Sequence, residues 1–303
     1  MNKVKDIGIG CEQLGGFDWD TKDDRPFEVV DEAWDNNIRL FDTAGVYGLG
    51  KSEINLSKIL GARRHEALIA TKCGLKWNKK TGSRAHVYVD NSPKSLEEDI
   101  SNSLKRLKID RLPIVFLHRP DNGVSLRHSL DYLMSLKENG KIDAIGLSNH
   151  SLEDIKSVSD MYNIEYCQLE FNFLNRQNLP TIRLCNKKRI KVMTSSSIAR
   201  GILSEKYLSG FREFNENDRR SRLNNFSKES YEQNYKIVGN LSQLAKSRGY
   251  NVSELSLRWI LDSAHCDYAL VGFKNIEQFR QISSALISRL DVDTIEKLNL
   301  IKL

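Results

Sequence analysis

Short apolar runs alternate along this chain with longer stretches in which apolar residues recur at helical spacing. Eight runs stand out, at residues 7–11, 38–43, 67–72, 112–118, 144–149, 166–171, 191–195 and 268–272. Most are rich in Val, Ile or Leu and lack strict in-out alternation, which is how strands buried on both faces read. The intervening segments predict helices over 26–36, 52–60, 95–107, 126–138, 151–161, 178–188, 231–248, 253–262 and 276–286. Ser95 with Glu98, and Ser151 with Asp154, have the spacing of capping boxes. Asn139-Gly140 is a normal stop for the helix before it. Eight strand-then-helix units predict an α/β fold, a (β/α)8 TIM barrel, with its active site at the C-terminal ends of the strands. An open doubly wound sheet is the alternative that alternation alone leaves. No composition break divides residues 1–303, so one domain is expected.

Two segments are longer than a barrel needs, 75–93 and 204–230. Long connections in compact domains are often lids over a site. Hydrophobic residues make up 40% and charged residues 28%, which excludes a disordered or collagen-like chain. No apolar run approaches the roughly 18 residues of a membrane span, and the N-terminus lacks a signal-peptide core. The five cysteines are odd in number and form no C-x-x-C pair. A reducing cytoplasm therefore fits better than a disulfide framework or a zinc site. The net charge of +6, 46 basic against 40 acidic residues, is spread along the chain. It suits an anionic small ligand better than nucleic acid.

Polar groups gather at one end of the apolar runs. Asp42 ends the second, Lys72 the third and His118 the fourth; Ser148 and Asn149 end the fifth, and Gln168 lies in the sixth. A single such residue is usually a cap or a bonded core group. Several from separate parallel strands converge on one site.

These residues lie in segments that strongly resemble the signature of aldo-keto reductases: Phe41-Asp42-Thr43-Ala44 with Tyr47-Gly48-x-Gly50-x-Ser52-Glu53, then Ala70-Thr71-Lys72, Leu117-His118-Arg119-Pro120-Asp121 and Ile145-Gly146-Leu147-Ser148-Asn149. Gln168 with Asn172, Ala199-Arg200-Gly201-Ile202-Leu203 and Leu257-Arg258-Trp259-Ile260-Leu261 continue it in family order. The resemblance implies hydride transfer between a nicotinamide cofactor and a small carbonyl compound, with no metal. Tyr47 would be the general acid, and Lys72 would lower its pKa. Asp42 would hold Lys72, and His118 would orient the carbonyl oxygen. Ser148, Asn149 and Gln168 match positions that hold the nicotinamide amide. Cys11 and the run Ser195, Ser196, Ser197, Ile198 and Arg200, with Lys206 beyond, match the cofactor side. Gly272, Lys274 and Gln278 match the adenosine end, where Lys274 would favour NADPH over NADH by pairing with a 2′-phosphate.

The pattern departs from the family at several points. Ser195-Ser196-Ser197 stands where an aromatic-Ser-Pro is usual, so no ring stacks on the nicotinamide. Ile282 replaces a frequent Asn, and both ends of the chain are short. Glu12 stands where an aromatic residue often lines the pocket. Trp77, Arg119 and Glu12 are the expected substrate contacts, with Gln13 and Asn122 adding polar groups. An unpaired Glu12 would repel anions and attract hydroxyl donors, which favours a polar, sugar-type substrate; pairing to a nearby cation is the plainer reading. Phosphates on a bulkier substrate would then lie near Lys76 or Arg84. A non-catalytic nicotinamide-binding subunit is the competing function, and Ser195 is what favours it. A lyase using Lys72 as a Schiff base is a third, and Asp42 argues against it. The substrate's identity and the oligomeric state are left open.

Overall fold

A computed structural model describes residues 7–16, 26–78, 86–216, 218–264, 266–283 and 289–302. Eight parallel strands close into a barrel: β1 (Ile7–Gly10), β2 (Leu40–Asp42), β3 (Leu68–Cys73), β6 (Leu112–Leu117), β7 (Ile142–Ser148), β8 (Tyr166–Glu170), β9 (Lys191–Ser195) and β10 (Tyr268–Gly272). Each falls on one of the eight expected runs. Helices α1 (Pro26–Asp35), α2 (Lys51–Leu60), α3 (Pro93–Leu107), α4 (Leu126–Glu138), α5 (Leu152–Val158), α6 (Leu179–Lys187), α7 (Lys228–Ser247), α8 (Val252–Ser263) and α9 (Ile276–Ser283) connect them.

The strand pattern follows from two buried faces. Leu40, Ala70, Ile114, Phe116, Tyr166, Met193 and Leu270 form an inner cluster, while their neighbours Ile69, Val115, Ile145 and Leu169 pack under the helices. Burying each large apolar side chain contributes on the order of 1.5–3 kcal/mol, and here both faces of every strand contribute. The barrel is full: a Cβ on Gly146 would run into the Phe116 ring. Side chains alternate with period two. Two residues beyond Leu40, Ala70, Phe116 and Tyr166 stand Asp42, Lys72, His118 and Gln168. The inner apolar layer therefore ends in a polar layer at the C-terminal rim. Register aligns it, with Gly10 opposite Asp42, Lys72 opposite Phe116 and Ser148 opposite Gln168.

Some helix starts differ from expectation. The Ser151 and Asp154 capping box is present. The Ser95 and Glu98 box is not: α3 starts earlier, at Pro93, because the Ser92 hydroxyl already accepts from the Ser95 N–H. Helix α8 likewise starts one residue early, on a capping box of Asn251 and Glu254. Helix α5 stops at Val158, short of residue 161. A final helix, α10 (Val292–Leu300), lies beyond the predicted elements.

The two long segments differ in kind. After β3 the chain makes an antiparallel hairpin, β4 (Leu75–Trp77) with β5 (Val87–Val89). After β9 it forms short turns at Glu205–Ser209, Arg219–Arg222 and Asn224–Phe226. The buried Asp218 carboxylate pins this stretch by accepting from the Arg220 backbone and guanidinium. Among the described residues no helix is long and apolar enough to cross a membrane, and no cluster of His, Cys, Asp and Glu is arranged to hold a metal ion.

Candidate active site

At the rim, Lys72 is the central group. Its ammonium donates to Asp42 Oδ1 and Oδ2 at 2.7 and 2.9 Å, to the Thr43 carbonyl at 2.9 Å and to the Tyr47 oxygen at 3.2 Å. Its three donors are thus all used. Because the Tyr47 oxygen accepts from Lys72, its own O–H is left to donate into the cavity. Asp42 also accepts from the Gln168 amide at 2.7 Å. The His118 ring stands edge-on to Tyr47, with centroids 6.0 Å apart.

Electrostatics refine one expectation. Burial by itself pulls the Lys72 ammonium down, but the Asp42 carboxylate and Tyr47 outweigh it, and its pKa lies above the ordinary lysine value. Burial pushes Tyr47 up; Lys72 opposes this, while Asp42 and Glu12 reinforce it, and the phenol ends at about 12. The expected lowering is therefore reversed: Lys72 pulls in the anticipated direction, but desolvation wins. His118 is held well below its usual value by burial and then by Lys72, Arg119 and Arg219, so it is neutral near pH 7.

A cavity of about 660 Å³ opens above these groups. Asp42, Tyr47, His118, Asn149 and Gln168 line its inner end. Its wall continues through Ser195, Ser196, Ser197, Ile198 and Arg200 to Lys206, Gly272, Lys274 and Gln278. That run of expected residues is brought together. Ser196, Ala199 and Arg200 adopt left-handed backbone conformations, as does Asn149. Such strain in non-glycine residues clusters at ligand sites.

Other expected residues stand off the cavity wall or are engaged elsewhere. Cys11 does not line the cavity: its thiol is buried and donates to the Ile9 carbonyl at 3.5 Å. Ser148 is also absent from the wall; its hydroxyl accepts from the Asn149 amide at 3.0 Å. Ser197 reaches the wall, but its hydroxyl donates to the Thr194 and Leu270 carbonyls and joins β9 to β10. Trp77 lies off the cavity, against Gly45. Lys76 is spent on Asp99 and the Ser95 carbonyl, each 2.8–2.9 Å away, and Asn122 is exposed outside the wall. Arg84 lies outside the described residues. Glu12 does line the cavity, paired with Arg219 at 2.7 Å. The plainer reading of Glu12 thus holds.

Sequence reasoning missed the rest of the wall. Tyr207, Phe211, Phe214, Arg219, Arg220 and Tyr231 come from the segment after β9 and the start of α7. The length of that segment was its only signal. Gln13, expected among the polar groups of the pocket, does reach the wall, and its buried Oε1 has no partner among the described residues. A cavity of this size, with an unpartnered amide oxygen and several cations on its wall, fits a dinucleotide carrying phosphates.

A closed parallel barrel with a buried Lys-Asp pair under a tyrosine and a histidine, beside such a cavity, defines a dinucleotide-dependent barrel enzyme. The model of the aldo/keto reductase family matches residues 6–301, and the chain belongs to that family: oxidoreductases that act on carbonyl compounds with a nicotinamide cofactor. It is 30% identical to the aldo-keto reductase YhdN of Bacillus subtilis, over 91% of this chain and 83% of that one. It is 28% identical to the NADH-specific methylglyoxal reductase of Escherichia coli, over 92% and 89% of the two chains. The structure of a glycerol dehydrogenase from Gluconobacter oxydans superposes with a TM-score of 0.87 at 26% identity, covering 97% of this chain and 90% of that one.

Proposed function

We propose that this protein reduces a polar aldehyde or ketone to the alcohol with NADPH, with Tyr47 as the general acid. The observation that carries this reading is the Lys72 contact to Tyr47. Lys72 donates to the phenol oxygen, which frees the phenol proton for the carbonyl oxygen and offsets the charge left behind. A reduced nicotinamide, held by Asn149 and Gln168 at its carboxamide, would supply the hydride for the carbonyl carbon. As the C=O π bond breaks, Tyr47 delivers its proton to the oxygen and later recovers one from solvent. The neutral His118 ring orients that oxygen by hydrogen bonding. Asp42 keeps Lys72 ionised against the downward pull of burial.

Asn149 and Gln168 present amide groups at the inner end, suited to an uncharged carboxamide. Arg200, Lys206 and Lys274 suit phosphates along the wall. NADPH is favoured because Lys274 meets the adenosine end, where a 2′-phosphate distinguishes the two cofactors. One relative is named NADH-specific, so preference differs between members. A polyol-type or sugar-type carbonyl fits the polar inner wall, and the name of the Gluconobacter dehydrogenase agrees. Five buried free thiols suit a reducing cytoplasm. The competing reading, a cofactor-binding subunit without turnover, has Ser195 in its favour.

NADPH oxidation against a carbonyl panel separates the two. The wild type turns over and Tyr47→Phe loses roughly 100- to 10,000-fold in kcat, while its NADPH affinity changes little. No turnover by wild type with NADPH bound would leave the subunit reading standing.

A further inference from the structure

The carboxylates on the cavity wall are all engaged. Asp42 is held by Lys72, Glu12 by Arg219 at 2.7 Å, and Glu170 faces Arg200 at 3.7 Å. Arg119 follows His118 directly, lines the same cavity and is exposed to solvent. It has no carboxylate partner among the described residues. The nearest acid in sequence, Asp121, is spent on backbone: one oxygen accepts from the Asn91 N–H and the other from the Gly123 N–H, both at 2.7 Å. The Arg119 carbonyl in turn accepts from the Asn91 side chain at 3.0 Å, which fixes the main chain carrying the guanidinium. The field at His118 agrees, since Arg119 and Arg219 both help keep its ring neutral.

We propose that the substrate carries an anionic group, a carboxylate or a phosphate, close to its carbonyl, and that Arg119 is the specificity-determining residue that receives it. This rests on the carbonyl-reductase reading above. An arginine beside the carbonyl site presents a planar fork of donors that matches either anion. The sign of the pocket is thereby opposite to that expected from Glu12 alone. With Glu12 neutralised by Arg219, the exposed Arg119 guanidinium is the charge left over next to His118, and an anionic group on a polyol-type or sugar-type carbonyl compound would pair with it.

Two pairs of substrates test the idea, each alike in shape and unlike in charge: 4-carboxybenzaldehyde with its methyl ester, and glyceraldehyde 3-phosphate with glyceraldehyde. In wild type the anionic member of at least one pair should lead by about tenfold or more in kcat/KM, and that lead should shrink as salt rises. Which pair shows it identifies the anion. Arg119→Gln should bring the ratio close to one, Arg119→Lys should restore part of it, and Glu12→Gln should raise it by leaving the pocket more positive. Equal kcat/KM within both pairs, or a ratio that Arg119→Gln leaves alone, overturns the proposal while the neutral members still report a working reductase. No turnover of any of the four with NADPH bound overturns the reductase reading, and the proposal falls with it.

Discussion

Arg106 on α3 and Glu53 on α2 form an ion pair of 2.6 Å around a fully buried carboxylate. Glu53 also accepts from the Thr71 hydroxyl at 2.6 Å, one residue before Lys72. The arginine lies under the turn that carries Tyr47: a Cβ on Gly45 or Gly50 would come within 3.0 or 2.9 Å of it. One buried acid thus ties the strand bearing Lys72 to the segment bearing Tyr47, and its partner props that segment from below. The 3.2 Å contact of Tyr47 with Lys72 is set by these neighbours as well as by the two residues themselves.

Arg106→Met keeps much of the apolar shaft and removes the charge. Leaving Glu53 buried without its cation should cost about 3 kcal/mol, a drop of roughly 5 °C in Tm for a chain of this size. Displacement of Tyr47 should lower kcat by roughly 10- to 100-fold, with smaller changes in KM and cofactor affinity. Thermal melts and steady-state kinetics measure both. Wild-type kcat in the folded variant would show that the turn keeps its place without Arg106.

Tyr47 must be protonated to act in reduction. Its pKa is pushed up to about 12, so the acid form persists as pH rises through 9. His118 is neutral over the same range because its pKa lies well below the usual value. Reduction should therefore show no Tyr47-linked or His118-linked fall in kcat between pH 7 and pH 9. Alcohol oxidation, which needs the phenolate, should rise by nearly tenfold per pH unit over that interval. Initial rates in both directions test this. A basic limb near pH 8 in reduction would mean that another group is the acid or that burial does not control Tyr47.

Gly48 follows Tyr47 with φ of +61°, and a Cβ there would collide with the backbone of Gly15. Gly16 has a similar φ of +70° but open space around it. Gly16→Ala should cost about 1 kcal/mol from backbone strain alone. Gly48→Ala should cost about 2–4 kcal/mol and reduce turnover as well, because the turn cannot close against Gly15. Denaturant titration of both variants gives the comparison. Equal costs would remove the Gly15 contact from the account.

Lys274→Met tests cofactor preference. The variant should lose at least roughly tenfold in NADPH affinity, on the scale of one charge-assisted contact, and far less for NADH. Fluorescence titration with both cofactors reads the two constants. Equal affinities in wild type would mean that Lys274 meets no 2′-phosphate.

The barrel was legible in the sequence because each strand is buried on both faces and each is followed by a helix of ordinary period. The polar rim was legible for a related reason. Asp42, Lys72, His118 and Gln168 each fall two residues beyond an inward apolar residue, so local periodicity already aims them at one layer. The Ser151 and Asp154 cap could likewise be read locally. Glu12 and Arg219, 207 positions apart, meet only because the segment after β9 folds back across the barrel mouth; no periodicity encodes that encounter. The same holds for Trp77, which the β4–β5 hairpin carries away from the cavity, and for Cys11, whose thiol is turned to its own strand. The rise in the Tyr47 pKa belongs here too. The sequence supplied the lysine that lowers it, but the desolvation that raises it is a property of the closed barrel. Short-range order fixed which residues reach the rim, and long-range packing decided their partners, their protonation and the sign of the charge they present.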